Sequence, residues 1–371
     1  MIIKNGKVFI DGSYHEVDVR ITNGVIREIG CDLKYDEVYD AKGQYVFAGF
    51  MDTHIHGACR TNCGTSVESM KEICVSLPQY GVTSFIPTPL DDGDPAHCAA
   101  LVKNIRAAKG APGADILGIF IYSAYKNRSI SYYAPPINPT KERTLALCDN
   151  DLSDIRSIII APELPGGQEH ISWLVQNGVI PAIGFSEGYA DDIREAVRRG
   201  ARLTDHFPNG FPALDHHISQ GTTQCLLEDA LYMQLNPDCI HVAPEFIQMM
   251  FRVKGEDKFV AVSDSSELMG APEGEYQMGN KTVYVRDGAV RDINGKLVTG
   301  AHTFDENMRT FKARGFSMET IGKIFSENAS KAFQISDRGK IEVGRRADLV
   351  IMSEDLYVQR TMINGEWFYT K

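Results

Sequence analysis

Residues 48–60 read AGFMDTHIHGACR: an apolar approach runs into two histidines one residue apart, and glycine with a loop of small polar residues follows at once. Successive side chains of an extended strand alternate between its faces, so positions i and i+2 point the same way. His54 and His56 therefore stand side by side on one surface, with Asp52 behind them. A hydrogen-bonded or solvated strand end explains an isolated His-x-His equally well. Neutral imidazole is, however, the commonest side-chain metal ligand, and two on one face supply half of a four-coordinate zinc shell. The remainder of the chain has to decide between these readings.

Working outward, FAGFMDTHIH is the first of eight short apolar runs that each end in a polar or Gly/Pro cluster. The others are GVTSFIPTP, DILGIFIYS, SIIIAPE, VIPAIGFSE, ARLTDHFPN, YMQLNPDCIHV and DKFVAVSDSS. Stretches with helical periodicity, such as SVESMKEICVSLPQYG, AHCAALVKNIRAAKG, YADDIREAVRRG and DENMRTFKARG, lie between or after them. Eight such runs with intervening helices predict an α/β fold, a (β/α)8 TIM-like barrel. Both chain ends read differently. Residues 1–30 and 339–369 alternate apolar and polar positions and are broken by Asn-Gly and Asp-Gly, strong hairpin signals. The expected organisation is a small β-sandwich domain from 1–48 plus 341–371, built from both termini around a barrel at 49–340.

In that architecture the active site sits where the βα loops converge, at the C-terminal ends of the strands. The polar residues ending the runs become the candidate list: His54, His56, Thr88, Tyr122, Glu163, Phe185 with Ser186 and Glu187, His206 with Asn209, His241 and Asp264. Three histidines and an aspartate at predicted strand ends point to a metal site far more strongly than the first pair alone.

Composition narrows the partners. A formal net charge of -11 and a pI near 5.4 argue against nucleic acid and anionic membranes, which require a basic footprint. No apolar run reaches the roughly 18 residues of a membrane span, and MIIKNGKVFIDG turns polar before a signal-peptide core can form, so cytoplasm is the default. The eight cysteines are scattered in neither a disulfide framework nor a zinc-knuckle spacing. Cys59 and Cys63, flanking the loop after the histidine pair, read as reduced thiols rather than ligands.

Terminal β segments around a barrel, with His-x-His on the first strand and Asp on the eighth, resemble the amidohydrolase superfamily. Within it, GFMDTHIHG, GVTSFIPT, IIIAPE, TDHFPNGFPAL, CIHV, VSDSSELMGAP and GKIEVGRRADLVI resemble the N-acetylglucosamine-6-phosphate deacetylases over nearly the whole chain. Two positions depart from that pattern: Tyr122 stands where the family places a ligand Glu on strand three, and Phe185 where it places a ligand His on strand five. What the resemblance leaves is His54, His56 and Asp264 around one metal position, with His206 nearby. Glu163 is our own addition, as a substitute carboxylate at the end of strand four. Asn209, Gly210 and His241 match substrate-contact positions. The loop HFPNGFPALDHHISQG lacks the family's phosphate-binding Arg and offers His216 and His217 instead, of which His217 is a candidate contact.

The function these residues imply is hydrolysis of the acetamide of an N-acetylated amino sugar, phosphorylated or not. Asp264 would take a proton from a metal-activated water and pass it to the departing amine. Zinc is the expected ion, with Fe, Mn and Ni as alternatives, and the resemblance implies a homodimer. Two other readings stay open: another mononuclear amidohydrolase, such as a deaminase or cyclic-amide hydrolase, and a non-catalytic sugar-binding relative with a decayed site. Individual residues also have plainer readings. Asp264 before two serines is a candidate helix N-cap, His206 a satisfied barrel-mouth histidine and Glu163 a loop carboxylate. His97, His170 and His302 are assigned to the surface.

Overall fold

The computed structural model describes residues 1–34, 37–127 and 137–371. Each of the eight apolar runs contains a strand of one parallel barrel: β1 (Phe50–Ile55), β2 (Val82–Pro87), β3 (Ile119–Tyr125), β4 (Ile155–Ile160), β5 (Ile180–Ile183), β6 (Leu203–Thr204), β7 (Tyr232–Leu235) and β8 (Phe259–Ala261). β3 through β8 pair in chain order, and β2 pairs with β1. The ring closes through backbone bonds beyond the regular strands, Asp264 N–H to His54 C=O at 2.9 Å and His56 N–H to Ser265 C=O at 2.8 Å. The four helical stretches read from the sequence are helices at Val67–Ser76, Pro95–Ala107, Ala190–Arg198 and Phe304–Ala313. Ser66, Asp94 and Thr303 begin three of them with side-chain caps on the first-turn amides.

Strands from both ends of the chain share one eight-stranded sheet. Its tight turns use Asp11-Gly12, Asn23-Gly24 and Asn364-Gly365, all at positive φ as a two-residue hairpin turn of the mirror-image type demands. The period of two explains how this β domain joins the barrel. Val46, Ala48, Leu349 and Ile351 point into the β domain's own core, whereas Phe47, Val350 and Met352 point into the barrel's.

An antiparallel sheet that the sequence reading did not anticipate interrupts the chain after β8. It comprises β9 (Gly274–Met278), β10 (Lys281–Arg286), β11 (Ala289–Asp292) and β12 (Leu297–Gly300). Leu268, Val283, Val285, Val290 and Ala301 form its separate small core. Thr299 Oγ1 donates to the Asp264 carbonyl at 2.8 Å, tying this insert to the barrel mouth. Among the described residues no helix is long and apolar enough to cross a membrane.

Candidate metal centre at the barrel mouth

The closing bonds between β1 and the end of β8 bring His54, His56 and Asp264 together. His54 Nε2 lies 3.2 Å from His56 Nε2 and 3.5 Å from Asp264 Oδ1, and His56 Nε2 lies 3.2 Å from Asp264 Oδ1. The protons of both rings follow from the opposite edges. His56 Nδ1 is 2.8 Å from the Thr88 carbonyl oxygen, which only accepts, so Nδ1 carries the hydrogen. His54 Nδ1 faces Gln234 Oε1 at 3.3 Å and Asp205 Oδ1 at 3.0 Å, again two acceptors. In the neutral rings both Nε2 atoms therefore present lone pairs to each other and to a carboxylate oxygen. Three acceptors so placed repel one another unless a cation lies among them. Ligands of a tetrahedral ion with bonds of about 2.0–2.1 Å are roughly 3.3 Å apart, which is the spacing of this triangle. The donor set fits a divalent metal ion, and the Thr88 and Asp205 contacts are the kind of outer support that fixes a ligand tautomer.

His206 stands at the wider edge: with His54 and Asp264 it offers ligand atoms within 4.8 Å of one another. Its ring stacks on His54 with centroids 5.3 Å apart, its Nε2 is 3.3 Å from Tyr122 Oη, and its buried Nδ1 has no hydrogen-bond partner among the described residues. The local field favours positive charge. Burial opposes charge on His54, yet Asp205 and Asp264 outweigh it and raise its pKa. Burial likewise opposes charge on Asp264, but His56, His206 and His54 hold its carboxyl well below the ordinary range. On His206 burial wins, and its pKa falls.

Several supporting residues escaped the sequence reading. Asn236, just past β7, donates through Nδ2 to Asp264 Oδ2 at 3.1 Å and lies 3.3 Å from Asn209 Nδ2 through its own oxygen. Gln234 donates to the Thr53 carbonyl at 3.1 Å, which turns its oxygen towards His54. Asp205 sits fully buried beneath the histidines. The only available signal was a polar residue inside an otherwise apolar strand end. Asp264 itself has φ of +48°, as does Phe185. Left-handed non-glycine residues at two strand ends are the kind of backbone strain that gathers at functional sites.

Other candidates lie elsewhere. Glu163 does not join the metal-competent group. Its Oε1 accepts from Asn127 Nδ2 at 2.8 Å and Glu187 N–H at 2.7 Å, and its Oε2 from Ser186 Oγ at 2.7 Å, so it braces the loop after β5 against the end of β3. His217 is exposed, its ring 3.9 Å from that of His216, and is not among the pocket's described lining residues. His170 is buried rather than superficial, hydrogen-bonded to Thr144 Oγ1 at 2.8 Å, and burial pushes its pKa down to about 4. His302 is half-buried against Gly288, whereas His97 is exposed at the pocket rim. No helix starts at Asp264, which removes the N-cap reading. Cys59 and Cys63 are free thiols, the latter buried.

Above the triangle opens a cavity of about 800 Å³, lined by His56, Tyr122, Phe185, Asn209, His241 and Asp264 and roofed by the insert. His241 Nδ1 is 2.5 Å from Asp238 Oδ2; burial disfavours the imidazolium, but Asp238 more than compensates and raises its pKa. Gly210 has φ of +76°, and a Cβ there would meet the Phe185 ring at 3.2 Å, so its match to a substrate-contact position also has a packing reason. Beside the triangle, the Tyr122 ring packs edge-on against His54 and His56, with centroids 5.4 and 4.8 Å apart, and Lys126 lies over the rings of Tyr122 and Phe185. Burial lowers its pKa to about 7 against the attraction of Asp205, Asp91 and Asp264.

A parallel barrel with His-x-His on its first strand, Asp after its eighth and a β domain from both ends defines a class of hydrolases. Residues 45–368 match the model of the amidohydrolase family, and the chain belongs to it. It is 26% identical over 377 residues to the N-acetylglucosamine-6-phosphate deacetylase of Lysinibacillus sphaericus, covering 98% of this chain and 97% of that one. It is 28% identical over 374 residues to the Bacillus subtilis protein of the same name, covering 98% and 93%. Among solved structures, the N-acetylglucosamine-6-phosphate deacetylase of Thermotoga maritima matches it with a TM-score of 0.86 at 25% identity over the whole of both chains. The resemblance read from the motifs is thus borne out. Family membership implies a divalent metal, and the histidine and aspartate donors fit one.

Proposed function

We propose that this chain is a metal-dependent deacetylase that hydrolyses the acetamide of an N-acetylated amino sugar of the N-acetylglucosamine 6-phosphate kind, yielding acetate and the free amine. The observation that carries the reading is the triangle of His54 Nε2, His56 Nε2 and Asp264 Oδ1, with edges of 3.2, 3.2 and 3.5 Å. His54, His56 and Asp264 would hold the ion, zinc in this proposal, with His206 at its edge. Once bound, such an ion acidifies water and polarises the amide carbonyl.

The chain's own residues do the rest. Asp264 accepts the proton of the attacking water and delivers it to the amide nitrogen, which must be protonated to leave. Asn236 keeps the Asp264 carboxylate in one orientation through Oδ2. His241, held at Nδ1 by Asp238, turns its other edge to the substrate as a donor to the oxygen that gains charge. Asn209, fixed through Asn236, is the matching contact for the sugar.

The loop at 206–220 contains no arginine to grip a phosphate, so the assay separates the two halves of the proposal. Acetate release is measured from N-acetylglucosamine 6-phosphate and from unphosphorylated N-acetylglucosamine, with chelated and zinc-reconstituted protein. Zinc-dependent release is the expected result, and no release from either sugar would remove the assignment. A cytoplasmic homodimer belongs to the same proposal, checked by sedimentation of the purified chain.

A further inference from the structure

Three side chains form a line from the donor triangle to the loop after β6: Asp264, Asn236 and Asn209. Asn236 is fully buried just past β7, and both ends of its amide are engaged. Its Nδ2 donates to Asp264 Oδ2 at 3.1 Å, and its Oδ1 accepts from Asn209 Nδ2 at 3.3 Å. The polarity of this line has one origin. A carboxylate oxygen only accepts, so the atom of Asn236 that faces Asp264 is the nitrogen, and its oxygen points the other way. That oxygen also only accepts, so the atom of Asn209 facing it is again the nitrogen. Reversing either amide would set acceptor against acceptor in a buried place and leave both unsatisfied.

The far end of the line is at the cavity wall. Asn209 is half-buried and lines the cavity, and its N–H donates to the His206 carbonyl at 2.9 Å, which fixes the backbone there. With Nδ2 committed inward, the end of the side chain left for a ligand is Oδ1, which receives no hydrogen bond among the described residues. An acceptor at that point selects for a donor. A sugar hydroxyl has a proton to give, whereas a phosphate dianion has none. We propose that Asn236 is a positioning residue that passes the polarity of Asp264 on to Asn209, so that Asn209 meets a hydroxyl of the sugar as an acceptor and takes no part in gripping a phosphate. The inference rests on the deacetylase reading above and adds to it the sense of one hydrogen bond.

Fluorine in place of a hydroxyl removes the donor and keeps a weak acceptor, which makes that sense measurable. The substrate is whichever of N-acetylglucosamine and its 6-phosphate releases acetate faster from zinc-reconstituted protein, with the deoxy and deoxyfluoro analogues at each remaining hydroxyl. Zinc content is measured alongside, so that kcat/KM is expressed per bound ion. In the wild type one deoxyfluoro analogue is expected to lose about tenfold, no less than the matching deoxy sugar. Asn209→Ala removes the acceptor, and that penalty should fall below about twofold. Asn236→Leu frees the Asn209 amide to turn its nitrogen to the fluorine, and the fluoro sugar should recover about threefold relative to the deoxy sugar. A merely structural residue would scale all the sugars alike and leave their pattern unmoved. Should Asn236→Leu fail to fold, Asn236→Ser, too short to span both partners, makes the same break. Fluoro sugars as good as the hydroxyl sugar at every position, or a penalty unchanged in the variants, overturn the inference and leave the deacetylase reading standing. A wild type that releases acetate from neither sugar overturns that reading itself, and the inference with it.

Discussion

The wall of the barrel mouth built by β1 and the end of β8 differs in kind from the wall built by β3 and β5. The first presents two imidazole lone pairs and a carboxylate, and outer hydrogen bonds leave their convergent edges facing one another. The second presents two aromatic rings, over which the buried Nζ of Lys126 lies. Both walls arise from the same barrel geometry, in which side chains at strand ends converge on the axis. The first wall has the donor chemistry of a cation site, and the second offers ring faces instead of ligand atoms. Convergence alone therefore does not make a metal ligand: the residue type and the partner on its far edge do.

The strongest way to break this contrast is to remove Asp264, the proposed acid–base carboxylate, from the first wall. Asp264→Asn should lower kcat for acetate release by about a thousandfold with little change in melting temperature; retention of a tenth of the activity would place the proton transfer elsewhere. Next, His56→Ala should reduce tightly bound zinc from one ion per chain to a small fraction and lower activity by about a hundredfold, as checked by metal analysis of the folded variant.

The His241–Asp238 pair sharpens the contrast by pH. The Asp238 pKa lies below its ordinary value, because His241 and backbone amides outweigh burial. Its contribution to stability is therefore present above about pH 3.9 and is lost as pH falls through the lower folded pKa. The His241 pKa is raised, so its contribution is complete below about pH 6.5 and is lost as pH rises through the raised value. Asp238→Asn should thus cost about 2 kcal/mol between roughly pH 4 and 6.5, with the difference shrinking on either side. Denaturant unfolding across pH measures it, and a pH-independent difference would contradict the pairing. The smallest effects belong to residues outside the triangle. Glu163→Gln should leave zinc stoichiometry at one, and His217→Ala should change KM less than about twofold, since surface substitutions away from a site have small effects.

Much of this was legible in the sequence for a physical reason. Eight apolar runs with helical spacers specify the barrel, and a period of two puts His54 and His56 on one face. The strand-end rule located Asp264 and Tyr122, but it fixes where a Cα lies, not what a side chain meets. Glu163 therefore looked like a spare ligand, although its oxygens are engaged by Asn127, Ser186 and Glu187. His170 was placed on the surface because its partner Thr144 lies on another helix. The insert had its signals, TVYVR alternation with Asp287-Gly288 and Asn294-Gly295 turns, but the eight runs had already completed a barrel and nothing demanded more strands. Lys126 gave no signal at all, since a lysine after a strand ordinarily reads as solvated.

On the proposed reading, β1 and the end of β8 converge on one ion. Anomalous scattering from crystals of the zinc-reconstituted protein, collected on either side of the zinc absorption edge, tests it most directly. A single peak bonded to His54 Nε2, His56 Nε2 and an Asp264 oxygen is the expected result. A crystal with full zinc in solution and no peak among those atoms, or one whose ion sits instead at Glu163 or between Tyr122 and Phe185, would contradict it.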